Sequence, residues 1–240
     1  MIIQTTTYHC TRCKSTNIVR NGHNSSGNPK FLCKDCGASR VLQPKVRYTK
    51  EQKELILRTY QERSSMRGIQ RLFGVSRPTL IAWIKKKVQS LPELNETLVQ
   101  ALPDDVLELD EMWSYVGKKE NSAWLWSALC RRTRQIVAFV IGDRGEDTCR
   151  RLFSALPSRS CRSYSDKWSA YEAVFPAWRH KSAGKGEGLL SHVERWHNTV
   201  RQRLGRYVRK TLSFSKSFQM HELVTRWFIM EYNLSLSPSS

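Results

Sequence analysis

The sequence predicts an α/β protein built from several domains, and three observations carry that expectation. Two Cys-x-x-Cys pairs lie near the N-terminus. A run of short capped helices follows them. The second half then alternates apolar, strand-like runs with amphipathic stretches. A length of 240 residues suits two or three domains of about 100–150 residues each. Hydrophobic residues make up 40%, with eight each of Trp, Tyr and Phe, so a packed core is attainable and wholesale disorder is excluded.

Charge sets the class of partner. The chain carries 40 Lys+Arg against 21 Asp+Glu, a formal net charge of +19. Residues 1–100 hold 18 basic and 6 acidic side chains, whereas residues 101–150 hold 7 and 9. A basic protein with one locally acidic block fits a polyanion such as double-stranded DNA, and a carboxylate site inside a cationic surround. No run approaches the roughly 18–20 apolar residues of a membrane span, and no Lys-rich amphipathic helix suggests a membrane surface. Residues 1–6 lack a basic region followed by an apolar stretch, so a cytoplasmic, nucleoid-associated protein is expected.

The first element is the pair Cys10-Thr11-Arg12-Cys13, followed after nineteen residues by Cys33-Lys34-Asp35-Cys36. Four thiols at this spacing suit one tetrahedral, structural Zn²⁺ bound by Cys10, Cys13, Cys33 and Cys36. Zinc would replace the core that about 40 residues cannot build. Two disulfides are the alternative, disfavoured without a secretion signal. Cys130, Cys149 and Cys161 lie in apolar surroundings and read as buried, inert side chains. The zinc ribbon-like module is assigned to residues 1–46.

Residues 47–90 read as a helix-turn-helix. Thr49 and Gln52 form a capping-box pattern before Leu55, Ile56 and Tyr60 at helical spacing. A short helix over 65–73 precedes the turn Gly74-Val75, and Ser76 caps a third helix over 77–87. Leu80, Ile81 and Ile84 face its core, leaving Arg77, Thr79, Lys85, Lys86 and Lys87 as candidate DNA contacts. An ordinary helical hairpin is the competing reading. Pro92 and Pro103 mark a linker over 91–104.

Residues 105–240 change character. Val106-Leu107-Glu108-Leu109-Asp110-Glu111-Met112-Trp113, the run 123–130 and the run 136–141 read as strands of a mixed sheet, the last two joined by a hairpin. Helices are expected over 146–156, 168–175, about 189–204 and about 217–232, with a further strand ending at Asp166. The pattern is compatible with a ribonuclease H-like fold without singling it out. Asp110 and Asp166 end strands that can be neighbours, and Glu194 lies beside the apolar stripe of a long helix. Three acids from separate elements can hold two Mg²⁺ ions, with Mn²⁺ able to substitute, for in-line attack on phosphate. Glu108, Glu111, Asp104 and Asp105 are acidic too, so spacing alone leaves the set open.

Several blocks, in order, narrow this. Leu109-Asp110-Glu111-Met112-Trp113-Ser114-Tyr115-Val116-Gly117, Tyr164-Ser165-Asp166-Lys167-Trp168 and His192-Val193-Glu194-Arg195-Trp196-His197-Asn198 resemble the three catalytic blocks of transposases of the insertion sequence one family. Arg209-Lys210-Thr211-Leu212-Ser213 resembles the segment closing that catalytic domain. Arg20-Asn21-Gly22 before Phe31-Leu32-Cys33 is similar to the family's zinc module, and Phe73-Gly74-Val75 to its helix-turn-helix.

The resemblance implies a ribonuclease H-like DDE transposase acting on element ends and target DNA, assembled as a homo-oligomer on the DNA. It carries the catalytic roles onto Asp110, Asp166 and Glu194, with supporting basic roles for His197 and Arg201, at i+3 and i+7 from Glu194. Arg203 and Arg206, in the basic stretch after Glu194, are added as DNA contacts. Family members often split the two halves between reading frames, and here both lie in one chain. The rival from another class is a zinc and helix-turn-helix regulator with a non-catalytic C-terminal half.

Overall fold

The computed structural model describes residues 2, 7–42, 48–184 and 186–236. The expected junction at 46–47 and the Ser-rich end at 237–240 lie outside the described residues. Contacts divide the chain into two compact units, residues 1–53 and 54–240.

The N-terminal unit is a three-stranded antiparallel sheet: β1 (Ile18–His23), β2 (Pro29–Cys33) and β3 (Ser39–Arg40). Asn24 closes the β1–β2 turn by accepting from the backbone N–H groups of Ser26 and Asn28, each at 2.9 Å. The strands are mostly exposed, and Cys10 and Cys33 are its buried apolar positions among the described residues. So little buried surface leaves the cysteines as the natural staple.

Three helices follow: α1 (Lys50–Gln61), α2 (Met66–Phe73) and α3 (Arg77–Gln89). Thr49 and Gln52 exchange capping bonds of 3.2 and 2.9 Å at the start of α1. Ser65 and Ser76 cap α2 and α3, accepting from Gly68 N and Thr79 N. Gly74 ends α2 at φ 67°, a left-handed conformation that favours glycine. Ile69, Val75, Leu80 and Ile84 are almost fully buried between these helices.

The helices pack on the rest of the second unit. Tyr60 stacks on Trp227 with ring centroids 6.4 Å apart. Lys87 reaches Glu231 at 3.6 Å and Arg226 reaches Glu93 at 3.0 Å. A 3₁₀ turn, Leu94–Thr97, lies in the connection, and buried Gln135 donates to Thr97 O.

The main sheet has the order β6-β5-β4-β7-β8. Its strands are β4 (Val106–Tyr115), β5 (Ser122–Cys130), β6 (Ile136–Gly142), β7 (Arg162–Ser165) and β8 (His180–Ser182). The first three form an antiparallel meander, while β4–β7 and β7–β8 are parallel. This is the mixed α/β architecture of a ribonuclease H-like domain. The short polar strand β8 was absent from the sequence expectation.

Side-chain alternation gives β4 two distinct faces. Leu107 and Leu109 join Trp126, Ala128 and Cys130 in a core covered by α4 (Glu146–Ala155) and α5 (Ser169–Val174), with Cys149, Leu152, Tyr171 and Phe175. Glu108, Asp110, Met112 and Ser114 point the other way, toward α6 (Ser191–Arg203) and α7 (Phe218–Leu236). Both faces are sealed by large aromatics, including Trp126, Trp196 and Trp227. Burying each such apolar side chain contributes roughly 1.5–3 kcal/mol.

Candidate functional site

The four N-terminal cysteines converge. Cys10 Sγ lies 3.6 Å from Cys36 Sγ, and Cys13 Sγ 3.5 Å from Cys33 Sγ. All four sulfurs lie within 4.8 Å of one another. A tetrahedron with metal–sulfur bonds of about 2.3 Å sets sulfurs about 3.8 Å apart, whereas a disulfide needs about 2.05 Å. The donor set therefore fits a metal held by four thiolates. Backbone N–H groups of Cys13 and Arg12 pull the Cys10 thiol down to about 6. At Cys13 the Ser15 N–H acts the same way, but the Cys36 and Cys33 thiols outweigh it and push the group up to about 12. Four such groups ionise together only around a cation.

A second convergence forms on the main sheet. The parallel register pairs Glu108 with Tyr164, so two residues further on Asp166 stands beside Asp110. Asp110, Glu111 and Asp166 bring one carboxylate oxygen each within 4.8 Å of the others. Burial, and then the Asp110 charge, raise the Asp166 carboxyl, though a Trp168 N–H bond opposes them. Burial, then Asp166 and Asp110, likewise raise Glu111 against the opposing pull of Arg144. Crowded carboxylates of this kind suit a divalent cation.

Asp110 is oriented from α6. His197, buried, has Nδ1 3.1 Å from Asp110 Oδ2 and Nε2 3.1 Å from Ser127 Oγ. Ser127 Oγ in turn donates to Asp110 O at 3.2 Å, so the ring is held between α6, β4 and β5 beside the carboxylate. Arg201, one turn further on, is lowered by burial and by Arg209, while Asp110 acts to raise it. Glu194 is exposed on the same helix and lies outside the group of three converging carboxylates. With Val193 facing the sheet, a rotation of 100° per residue sets Glu194, His197 and Arg201 on one flank of α6.

Glu111 and Glu108 have other partners. Glu111 is bound by Arg144 Nη2 at 2.6 Å and by the Tyr171 hydroxyl at 2.9 Å. The Arg144 guanidinium lies over the rings of Trp168 and Trp124, 4.1 and 4.8 Å from their centroids, and 3.9 Å from Asp166. Glu108, fully buried, accepts from the backbone N–H groups of His192 and Val193 at 2.9 and 3.0 Å, and pairs with Arg131 at 2.8 Å. It thus caps the positive end of α6 and fixes where that helix starts on the sheet.

The candidate DNA contacts divide. Arg77 and Lys86 are exposed on α3 and Lys85 is half-buried. Thr79 Oγ1 lies 2.8 Å from the capping Ser76 Oγ. Three others are engaged by partners from other segments. Lys87 binds Glu54 and Glu231. Arg203 binds Glu62 at 2.6 Å and lies over Phe228. Arg206 is buried and donates to Tyr60 Oη, Ser215 Oγ and Met220 O. The carboxylates and aromatic rings that hold these cations belong to other segments, so a local charge count gave no sign of them.

Sequence reasoning also missed Arg144 and the capping role of Glu108. An isolated arginine after a strand carries no signal, and the Glu108–His192 contact spans 84 residues. Adjacent acids at Asp110 and Glu111 point to opposite faces of β4, which gave no reason to expect their oxygens to meet.

A family model described as IS1 transposase matches residues 105–234, and one described as the InsA N-terminal domain matches residues 3–37. The insertion element iso-IS1n protein InsB of Shigella dysenteriae is 37% identical over 128 residues, 53% of this chain and 95% of that protein. The insertion element IS1 protein InsB of Escherichia coli is 33% identical over 156 residues, 62% of this chain and 92% of its own length.

Proposed function

The chain belongs to the IS1 transposase family, and from that premise we propose a DDE transposase that binds the terminal inverted repeats of its element, cleaves there and joins the freed ends to target DNA. The observation that carries this reading is the meeting of Asp110 and Asp166 across a parallel strand pair, with their oxygens in cation-binding range.

In this reading the work divides along the chain. Residues 1–46 fold around one Zn²⁺ held by Cys10, Cys13, Cys33 and Cys36. Residues 47–90 read the repeats, with Arg77 and Thr79 at the start of α3 facing bases and Lys85 and Lys86 facing phosphates. Residues 105–240 carry the chemistry, joined to the reader through 91–104.

Asp110, Asp166 and Glu194 would hold one or two Mg²⁺ or Mn²⁺ ions. Bound there, such ions supply an activated water or 3′-hydroxyl and stabilise the leaving oxygen. His197 holds the Asp110 carboxylate in one orientation. Arg201, on the same flank as Glu194, supplies positive charge to the scissile phosphate. Glu111 stays with Arg144 and Tyr171 and braces β4 beside Asp110. Several copies would assemble on the paired element ends.

The test is Mg²⁺-dependent cleavage of DNA carrying the element's own ends, by the full chain and by Asp110→Asn, Asp166→Asn and Glu194→Gln. Loss of cleavage by several orders of magnitude in each variant, with end binding retained, is the expected result. End binding without cleavage by the unaltered chain would instead favour a DNA-binding regulator.

A further inference from the structure

The two flanks of α6 differ. One holds Glu194, His197 and Arg201. The other holds His192, Arg195 and Thr199, and with Leu129, Arg134, Ser191, Trp196 and Tyr232 it lines a groove of about 360 Å³ between α6 and the end of α7. Leu129, on β5, pairs with Glu108, two residues before Asp110 on β4, so the groove opens beside the strand that carries Asp110.

Its lining is cationic and lacks a counter-charge. Arg134 and Arg195 are exposed, and neither has a carboxylate partner among the described residues. Arg134 occupies a left-handed conformation, φ 63°, at the end of the β5–β6 hairpin, where a glycine would fit without strain. The neighbouring acids are already bound, Glu108 by Arg131 and His192, and Glu231 by Lys87 and the Trp227 indole.

A second observation points to an acceptor. Trp196 is 2% exposed, and its Nε1–H has no hydrogen-bond partner. A buried indole donor normally finds one, and this ring lines the groove beside Tyr232, with centroids 6.2 Å apart. The Trp196 side chain and two arginines line one concavity, and the guanidiniums match the acceptor oxygens and charge of a phosphate.

We propose that this groove binds a backbone phosphate of DNA on the side of α6 away from the carboxylates, and so holds the strand in register with Asp110. The proposal rests on the reading that the chain acts on DNA.

The experiment follows the ¹⁵N-labelled indole N–H signals of the full chain, with Trp196 assigned by its loss in Trp196→Phe. A short duplex without element ends should shift that signal, and Arg134→Ala/Arg195→Ala should abolish the shift. The double variant should also bind duplex about tenfold more weakly at low salt. Its log–log salt slope should be shallower by about 0.9, the loss of one phosphate contact. Both arginines are exposed, so folding should persist. A signal moved by inorganic phosphate and not by duplex would make this a small-anion site and overturn the proposal. Unchanged affinity and slope in the double variant, with the unaltered chain still cleaving element ends, would overturn the groove alone. Failure of the unaltered chain to bind any DNA would overturn the transposase reading together with it.

Discussion

His197 Nδ1 lies 3.1 Å from Asp110 Oδ2, joining helix α6 to strand β4 at the carboxylate cluster. The contact fixes one oxygen of Asp110, while the other accepts from Glu111 N at 2.9 Å. A partner of this kind orients a metal-binding carboxylate rather than touching the reacting atoms. Its removal typically costs about 10–100-fold. His197→Ala should therefore lower cleavage by that factor, far less than Asp110→Asn, and raise the Mg²⁺ concentration giving half-maximal rate. Equal losses in the two variants, with an unchanged Mg²⁺ requirement, would place His197 in the chemistry itself.

Glu111 and Glu194 should separate stability from chemistry. Glu111 is buried and engaged by Arg144 and Tyr171, so Glu111→Gln disturbs a buried polar set and should cost about 1–3 kcal/mol in urea unfolding. Glu194 is exposed, so Glu194→Gln should leave the unfolding midpoint nearly unchanged while cleavage falls by orders of magnitude. The reverse pattern would make Glu111 the third cation ligand.

The sequence made some of these relationships legible and hid others for physical reasons. Apolar runs marked β5 and β6 because both faces of these strands are largely covered, although β6 lies at the sheet's edge. Asp110 and Asp166 were visible as acids at expected strand ends; Asp166 directly follows β7, whereas β4 continues past Asp110 to Tyr115. The three-residue strand β8, His180-Lys181-Ser182, has no apolar alternation and exists because β7 offers it a parallel edge. Arg206 counted as one more basic residue in a basic stretch. Its burial depends on Tyr60, 146 residues earlier, which no local pattern encodes.

Cys33 tests the N-terminal unit. Cys33→Ser should remove bound zinc, one equivalent per chain by metal analysis of the unaltered protein, and loosen residues 1–45 toward proteolysis. Helices α2 and α3 and the main sheet belong to a compact unit of their own, so its cooperative unfolding should persist. Zinc-free protein with an intact N-terminal unit and unchanged end binding would contradict the metal assignment.

The last prediction concerns acid. Arg206 Nη1 donates to Ser215 Oγ at 3.0 Å, Ser215 Oγ lies 2.8 Å from His221 Nδ1, and His221 Nε2 lies 3.1 Å from Ser114 Oγ. Ser114 donates onward to Ala123 O, so its oxygen must accept from Nε2–H. Nδ1 then accepts from Ser215, and the ring is neutral. Burial, and then the Arg206 charge, lower His221 to about 3. An unfolded histidine titrates near 6.5, so the unfolded chain takes up the proton first. Stability from this group is complete above pH 6.5 and falls as pH drops toward 3, by about 1.4 kcal/mol per pH unit. Protonated Nδ1 would face Arg206 across Ser215 and break the chain from Tyr60 to β4. His221→Gln should be less stable at pH 7.5, yet lose less further stability between pH 6 and 4.5 than the unaltered chain. The comparison isolates His221 from His180, which burial also lowers. Identical pH slopes in urea unfolding of the two proteins would show that His221 does not titrate against folding.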